Sequence, residues 1–267
     1  MLQLEKIFVK QLSIHKSLEA FVKDIFILES DLINSENKIP FYADGFPGII
    51  YSKSDNPFYL MPRNKKLSNF YLYGQTIEPI SLNVLGSYKL LCIRMYPFAA
   101  RILLGVDPKI LNDDCYDLKL IKGVNTLQTL LELNQTNNES DLIEILANYF
   151  NELLENASLN PDYRMKLAIN LILNTNGSIS IKNIRDKLHV TERTLERHFL
   201  KEVGVTAKQF AKIIQFSSSM KQITDEDYFN LTEIGYDNGF ADQSHFIRSF
   251  KKFTGKTPKE YQKQISQ

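Results

Sequence analysis

The chain has 267 residues, 43% of them apolar and 24% charged, with 11 Gly, 9 Pro and no Trp. That composition excludes wholesale disorder, collagen-like sequence and a disulfide-rich mini-scaffold, and the length predicts one large domain or two ordinary ones. A net charge of +1 argues for no charged partner until the chain is divided.

The first residues, Met1-Leu2-Gln3-Leu4-Glu5-Lys6, carry both signs of charge and no apolar core, so no secretory leader is expected. No run of about eighteen apolar residues occurs, so no membrane span or membrane partner is expected. Cys92 and Cys115 lack metal-binding spacing and read as reduced thiols, and together these features predict a cytoplasmic protein.

From Ile7 to about Leu120 the sequence reads mostly as strands. Gly48–Ser52, Asn69–Gly74, Ile80–Leu85 and Tyr88–Met95 are rich in β-branched and aromatic residues and are bounded by Gly, Pro, Asn or Ser. Short strands at this spacing predict an antiparallel barrel or sandwich. Phe98–Leu104 then reads as a helix closed by Gly105. From Glu139 the period becomes helical, with Leu142, Ile145, Leu146, Tyr149, Leu153 and Leu154 on one face. That stripe, over Asp141–Leu154, either packs on its own barrel or forms a homodimer interface; it is too short for a coiled coil.

Turn formers from Glu155 to Pro161 end this pattern, and the boundary is placed there, giving domains 1–160 and 161–267. The second part holds 17 Lys+Arg against 12 Asp+Glu, a net of +5, and the first holds 15 against 19, a net of −4. A basic C-terminal part is a mild sign of nucleic acid.

That part also repeats itself at an offset of 50–51 residues, from Ile181–Gly204 to Leu231–Gly255. Ile184 matches Ile234, one extra residue enters the second turn, and Thr191, Leu195, Arg197, Phe199 and Gly204 then match Asp242, Phe246, Arg248, Phe250 and Gly255. Each unit, about 179–204 and 230–255, reads as helix, turn, helix. Ser180, Thr191 and Asp242 are expected N-caps, and Gly204 and Gly255 expected left-handed stops. With Leu195/Phe199 and Phe246/Phe250 facing inward, Arg193, Arg197, Gln243, Ser244, His245 and Arg248 face outward. This is the layout of recognition helices in a DNA major groove, where arginine grips guanine and glutamine grips adenine. Helix N-termini at Ser180, Thr191 and Asp242, with Lys201, Lys251 and Lys252, suit phosphate contacts. Between the units Thr206 caps a helix from Ala207 to about Ile223, with Phe210, Ile213, Ile214 and Met220 as its buried stripe. A helix of that length can hold two recognition helices about 34 Å apart, one helical turn of DNA.

Gly239-Phe240-Ala241-Asp242-Gln243-Ser244-His245-Phe246-Ile247-Arg248-Ser249-Phe250-Lys251, then Gly255-Lys256-Thr257-Pro258, resembles the DNA-binding domain of the AraC/XylS family of bacterial transcription regulators. Thr191–Phe199 resembles the first recognition helix of that family. The resemblance implies double-stranded DNA as partner and Arg193, Thr194, Arg197, Gln243, Ser244, His245 and Arg248 as base-reading positions. Two departures stand out. Gln215 occupies a usually basic place, removing a backbone contact, and Gly235 replaces a small Ala, weakening its helix. Asp44–Ile50, Tyr73-Gly74-Gln75 and Pro97–Gly105 resemble the barrel-like N-terminal domain of one branch of the family. The implied fold class is α+β and multidomain: a β-rich, cupin-like barrel with following helices, then an all-α domain of two helix-turn-helix units. The implied function is effector sensing or dimerisation around a DNA reader, with RNA polymerase as a further candidate partner.

Other readings carry less. His15, His189, His198 and His245 are the four histidines, so the barrel lacks the His cluster of a metal cupin, and no cofactor is expected. His189 and His198 read as turn and surface residues, while His245 is either a base contact or surface. Asp113-Asp114 and Asp225-Glu226-Asp227 read as solvated loop charge. Arg94 either faces solvent or binds an anionic effector inside the barrel. An enzyme built on the barrel is the alternative function; no G-x-S-x-G, P-loop or G-x-G-x-x-G supports it. A repeat used for protein contacts is the third.

Overall fold

A computed structural model describes residues 8–157, 162–225 and 230–265. The expected boundary at 160/161 and the acidic residues Glu226 and Asp227 lie outside the described residues.

The β-rich part contains β1 (Phe8–Leu12), β2 (Val22–Ser30), β3 (Glu36–Phe41), β4 (Gly48–Ser54), β5 (Tyr59–Met61), β6 (Lys65–Lys66), β7 (Phe70–Tyr73), β8 (Ile80–Leu85), β9 (Tyr88–Met95) and β10 (Cys115–Asp117). They form a six-stranded sheet in the order β1-β2-β9-β4-β7-β10 and a four-stranded sheet in the order β3-β8-β5-β6. Helix α1 (Ala99–Leu104) ends at Gly105, which has φ +64°, as its sequence implies. Helices α2 (Thr126–Gln135) and α3 (Glu139–Asn156) follow.

Register assigns the faces of the larger sheet, because directly opposed residues share one. Phe70, Ile49, Leu91, Ile93, Ile25 and Ile27 are buried on one face. There Phe70 meets Tyr149 of α3 with ring centroids 5.4 Å apart, and Tyr51 donates its hydroxyl to Asn134 of α2 at 2.7 Å. Leu142, Leu146, Tyr149 and Leu153 are all buried, so the stripe on α3 packs within its own part of the chain.

The opposite face carries the row Cys115, Tyr73, Gly48, Arg94 and Asp24 across five strands. Arg94 is half-buried and its guanidinium is already paired. It donates from Nε to Asp24 Oδ1 at 2.7 Å and from Nη2 to Oδ2 at 2.6 Å, a two-pronged pair that an anionic effector would have to displace. Asp114 is also bound, to Lys65 at 2.6 Å and Arg63 at 3.0 Å, so the Asp113-Asp114 pair is not merely solvated charge.

The helical part comprises α4 (Tyr163–Asn174), α5 (Ile181–Leu188), α6 (Glu192–Glu202), α7 (Ala207–Thr224), α8 (Leu231–Asp237), α9 (Gln243–Thr254) and α10 (Pro258–Ile265). By compactness the chain forms two units, each discontinuous in sequence. One comprises Met1–Ile39, Phe46–Gly74 and Ser81–Pro161; the other comprises Asp162–Gln267 with the short segments Pro40–Gly45 and Gln75–Ile80. Among the described residues no helix is long and apolar enough to cross a membrane, and no group of three or more His, Cys, Asp or Glu is placed to hold a metal ion.

Cys92 and Cys115 are free, buried thiols, and burial pushes both pKa values up to about 12. Almost no thiolate exists at neutral pH, so a disulfide-exchange reagent at pH 8 should label neither cysteine in the native chain and both after denaturation. Stoichiometric labelling without denaturant would show that the sheet opens readily.

Candidate nucleic-acid interface

Local chemistry sets the two helix-turn-helix units before packing does. Ser180 Oγ accepts the Asn183 N–H, Thr191 Oγ1 the Thr194 N–H, Thr206 Oγ1 the Gln209 N–H and Asp242 Oδ1 the His245 N–H, so each expected cap is formed. Each satisfies one amide that the first helical turn leaves without a partner. Gly204 and Gly255, at φ +87° and +74°, are the left-handed stops. His189 performs the same office for α5 at φ +53°.

Packing then aims the helices. Leu195 and Phe199 of α6 and Phe246 and Phe250 of α9 are buried. Phe199 meets Phe210 of α7 at 5.9 Å, and Phe216, six residues further along α7, meets Phe250 at 5.2 Å and Phe253 at 4.8 Å. With these sides inward, Arg193 and Arg197 on α6 and Gln243, Ser244 and Arg248 on α9 are exposed. Arg193, Arg197 and Arg248 have no hydrogen bond or ion pair among the described residues, so their forked donors are open.

The remaining expected contacts are partly engaged. Thr194 is half-buried and its Oγ1 accepts from Thr191 at 3.0 Å, leaving its own hydroxyl proton to donate. Gln243 Nε2 donates to Thr232 Oγ1 at 3.1 Å, which leaves its second amide hydrogen and its carbonyl for adenine. His245 is half-buried with its ring edge-on to Phe240 at 5.5 Å. Ser180, Thr191 and Asp242 use their side chains as caps, so what they present outward at a helix start is backbone N–H. Lys251 and Lys252 are exposed in the last turns of α9, and Lys201 is exposed on α6. His198 lies 3.3 Å from Asp162, the N-cap of α4.

Several residues escaped sequence reasoning. Glu196, on α6, accepts the Ala207 N–H at 3.3 Å, a second cap on α7 that ties the first recognition helix to the linker. The matching place in the second unit is Ile247, and there Glu260 accepts from the Thr257 N–H at 2.7 Å and from its hydroxyl at 2.9 Å. The Thr-x-x-Glu spacing of that capping box was a readable signal; the reach of Glu196 across eleven residues was not. Asn238, 1% exposed, donates to Gln222 Oε1 and to the Ile234 carbonyl and so fixes the turn before α9. Gln215, at the place expected to lack the usual basic contact, donates to the Gly239 carbonyl at 3.4 Å.

Comparison with known proteins agrees with this geometry. A helix-turn-helix domain family matches residues 184–264, a stretch that takes in nearly all of both units. The C-terminal unit contains an AraC-type helix-turn-helix domain. Residues 11–117, ahead of the AraC-type domain, match a domain of unknown function, DUF6597. An uncharacterized HTH-type transcriptional regulator of Staphylococcus aureus is 27% identical over 103 residues, 39% of this chain and 14% of that one. The ornithine utilization regulator of Pseudomonas aeruginosa is 36% identical over 75 residues, 28% of this chain and 22% of that one. The chain thus spans about a seventh to a fifth of the length of these relatives. Among solved structures, an apo form of ToxT from Vibrio cholerae is similar in fold, with a TM-score of 0.53 at 16% identity, over 95% of this chain and all of that one.

Burial raises the Glu196 pKa, whereas the Thr257 N–H and hydroxyl lower that of Glu260. The signs are opposite. Stability linked to Glu196 is present below the ordinary carboxylate range and lost as pH rises through its raised value. Stability linked to Glu260 is present above that range and lost as pH falls through its lowered value. In thermal melts Glu196→Ala should cost about 1 kcal/mol through the lost cap, with Glu196→Gln milder because an amide oxygen still accepts. Equal losses for both substitutions would place the role of Glu196 elsewhere.

Proposed function

We propose that the chain is a sequence-specific DNA-binding transcription regulator whose two recognition helices, α6 and α9, enter successive major-groove segments. The observation that carries this reading is the matched pair of capped helices, each aromatic on its inner side, with Arg193, Arg197 and Arg248 exposed outside and unpaired among the described residues. Those arginines, with Thr194, Gln243, Ser244 and His245, read bases. The helix starts at Ser180, Thr191 and Asp242, with Lys201, Lys251 and Lys252, contact phosphate. Helix-turn-helix regulators among the relatives support the same reading.

The N-terminal β-rich unit acts on this reader through a small-molecule effector or a second copy of the chain, and RNA polymerase is the proposed protein partner. One ToxT structure of similar fold, with a TM-score of 0.50, is bound to (E)-4-(8-methylnaphthalen-1-yl)but-3-enoic acid, which supports an effector as the first arm to test. A regulator is favoured over an enzyme because a helix-turn-helix domain family matches and the similar relatives are transcriptional regulators.

Selection of duplexes from a random library with the 267-residue chain tests the proposal and yields the site. On that site Arg197→Ala or Arg248→Ala should lose about 1–3 kcal/mol and relax base preference at one position each. Equal losses on every duplex would make them phosphate contacts instead. Lys251→Ala should weaken binding on all sequences and flatten the salt dependence by about one unit of slope. An unchanged slope would remove Lys251 from the interface.

A further inference from the structure

The second helix-turn-helix unit is not built from the C-terminal sequence alone. Its buried core comprises Ile213, Phe216 and Ile223 of α7, Ile234 of α8, Phe246, Phe250 and Phe253 of α9, Phe240 and Tyr261, and it also contains Ala43, 0% exposed. Tyr42 packs against the same cluster and meets Tyr261 edge-on, with ring centroids 5.8 Å apart. Burial pushes the Tyr42 hydroxyl up to a pKa of about 12. Next along the chain, Gly45 has φ +84°, and a Cβ there would stand 2.5 Å from Ile214 Cδ1 and 3.2 Å from Phe210 Cε2. The backbone of this segment therefore lies close against the Ile214 and Phe210 side chains of α7, in a left-handed conformation that favours glycine. Gln75, 2% exposed, clamps it by donating from Nε2 to the Gly45 carbonyl at 3.0 Å.

These residues belong to motifs that the sequence singled out for another reason. Gly45 lies in Asp44-Gly45-Phe46-Pro47-Gly48 and Gln75 in Tyr73-Gly74-Gln75, both read from their resemblance to a barrel-like N-terminal domain. Here both stand within the unit that carries the recognition helices. The segment 40–45 runs from the last two residues of β3 toward β4, and 75–80 from beyond β7 to the first residue of β8.

We infer that Tyr42–Gly45, clamped by Gln75, is a positioning element of the second recognition helix, holding α9 against α7 from a distant part of the sequence. The first recognition helix is braced from within the C-terminal sequence by Glu196 on the start of α7; Ile247 cannot serve α9 in that way. The tyrosine and alanine of this segment fill the gap with packing instead, and the glycine lets the loop lie against α7. Removing them loosens α9 and α10 and leaves α6 in place. The consequence for DNA rests on the reading of α9 as a base-reading helix.

The test uses the 267-residue chain with Tyr42→Ala and, separately, Ala43→Leu, which overfills the core around α9, followed by hydrogen exchange and by footprinting. Amides of α9 and α10 should exchange about tenfold faster or more than in the parent chain, with α6 unchanged. On a duplex selected by the parent chain, the groove segment under α9 should lose protection while the segment under α6 keeps it. Tyr42→Ala is the milder change and carries the test if Ala43→Leu does not fold. Exchange that rises equally in α6 and α9, or in neither, overturns the inference, as does equal loss of both protected segments. If the parent chain selects no duplex, the DNA-reading function fails, and the exchange comparison alone decides the packing claim.

Discussion

One helix, α7, is the common wall of both reading units, and the burial of its two phenylalanines organises everything C-terminal to it. Phe210 packs on Phe199 of the first recognition helix, and Phe216 packs on Phe250 and Phe253 of the second. Each is fully buried. Truncating such a ring in a packed core typically costs about 3–5 kcal/mol, several times the value of any single cap or surface ion pair. Caps choose where each helix begins. The aromatic contacts choose which side faces in, and therefore which side is left for a ligand.

Charge completes the division of labour. The near-neutral total hides a C-terminal part at +5 and an N-terminal part at −4. Within them the arginines are used in opposite ways. Arg94 is forked onto Asp24 across neighbouring strands, whereas Arg193, Arg197 and Arg248 have no partner among the described residues and sit on capped helices. A cation already matched to a buried-side carboxylate has little to offer an incoming anion; an open one on a rigid helix has a full set of donors.

The sequence was most legible where the determinants are local. Caps, left-handed stops and the repeat register depend on residues three or four apart, and Ser180, Thr191, Asp242, Gly204 and Gly255 all do what their spacing implies. Strands β4, β7, β8 and β9 were readable for the same reason, as short apolar runs between turn formers. β1, with Phe8, Val9 and Lys10 exposed, offers a weaker pattern, and β5 and β6 are only three and two residues long. Helix α2 leaves Leu127 and Leu131 exposed and has no clean stripe to announce it. What no local rule could supply is contact across long separations: Arg94 with Asp24, Glu196 with Ala207, and Ala43 among the phenylalanines of α7 and α9. Periodicity places Arg94 on a face without saying that Asp24 already waits there.

The interlaced composition of the second unit bears on how such a chain can be rearranged by recombination. A crossover just after α3 would look clean on paper, since the helical part begins anew at α4. Yet it would carry α7 and α9 away from the alanine that fills their core and from the glycine that lets a loop lie on Ile214. The two ends of this chain are therefore heritable as a matched pair. A graft that keeps its shape must bring six residues from near position 40 along with the C-terminal hundred, and with them the strands that deliver those residues.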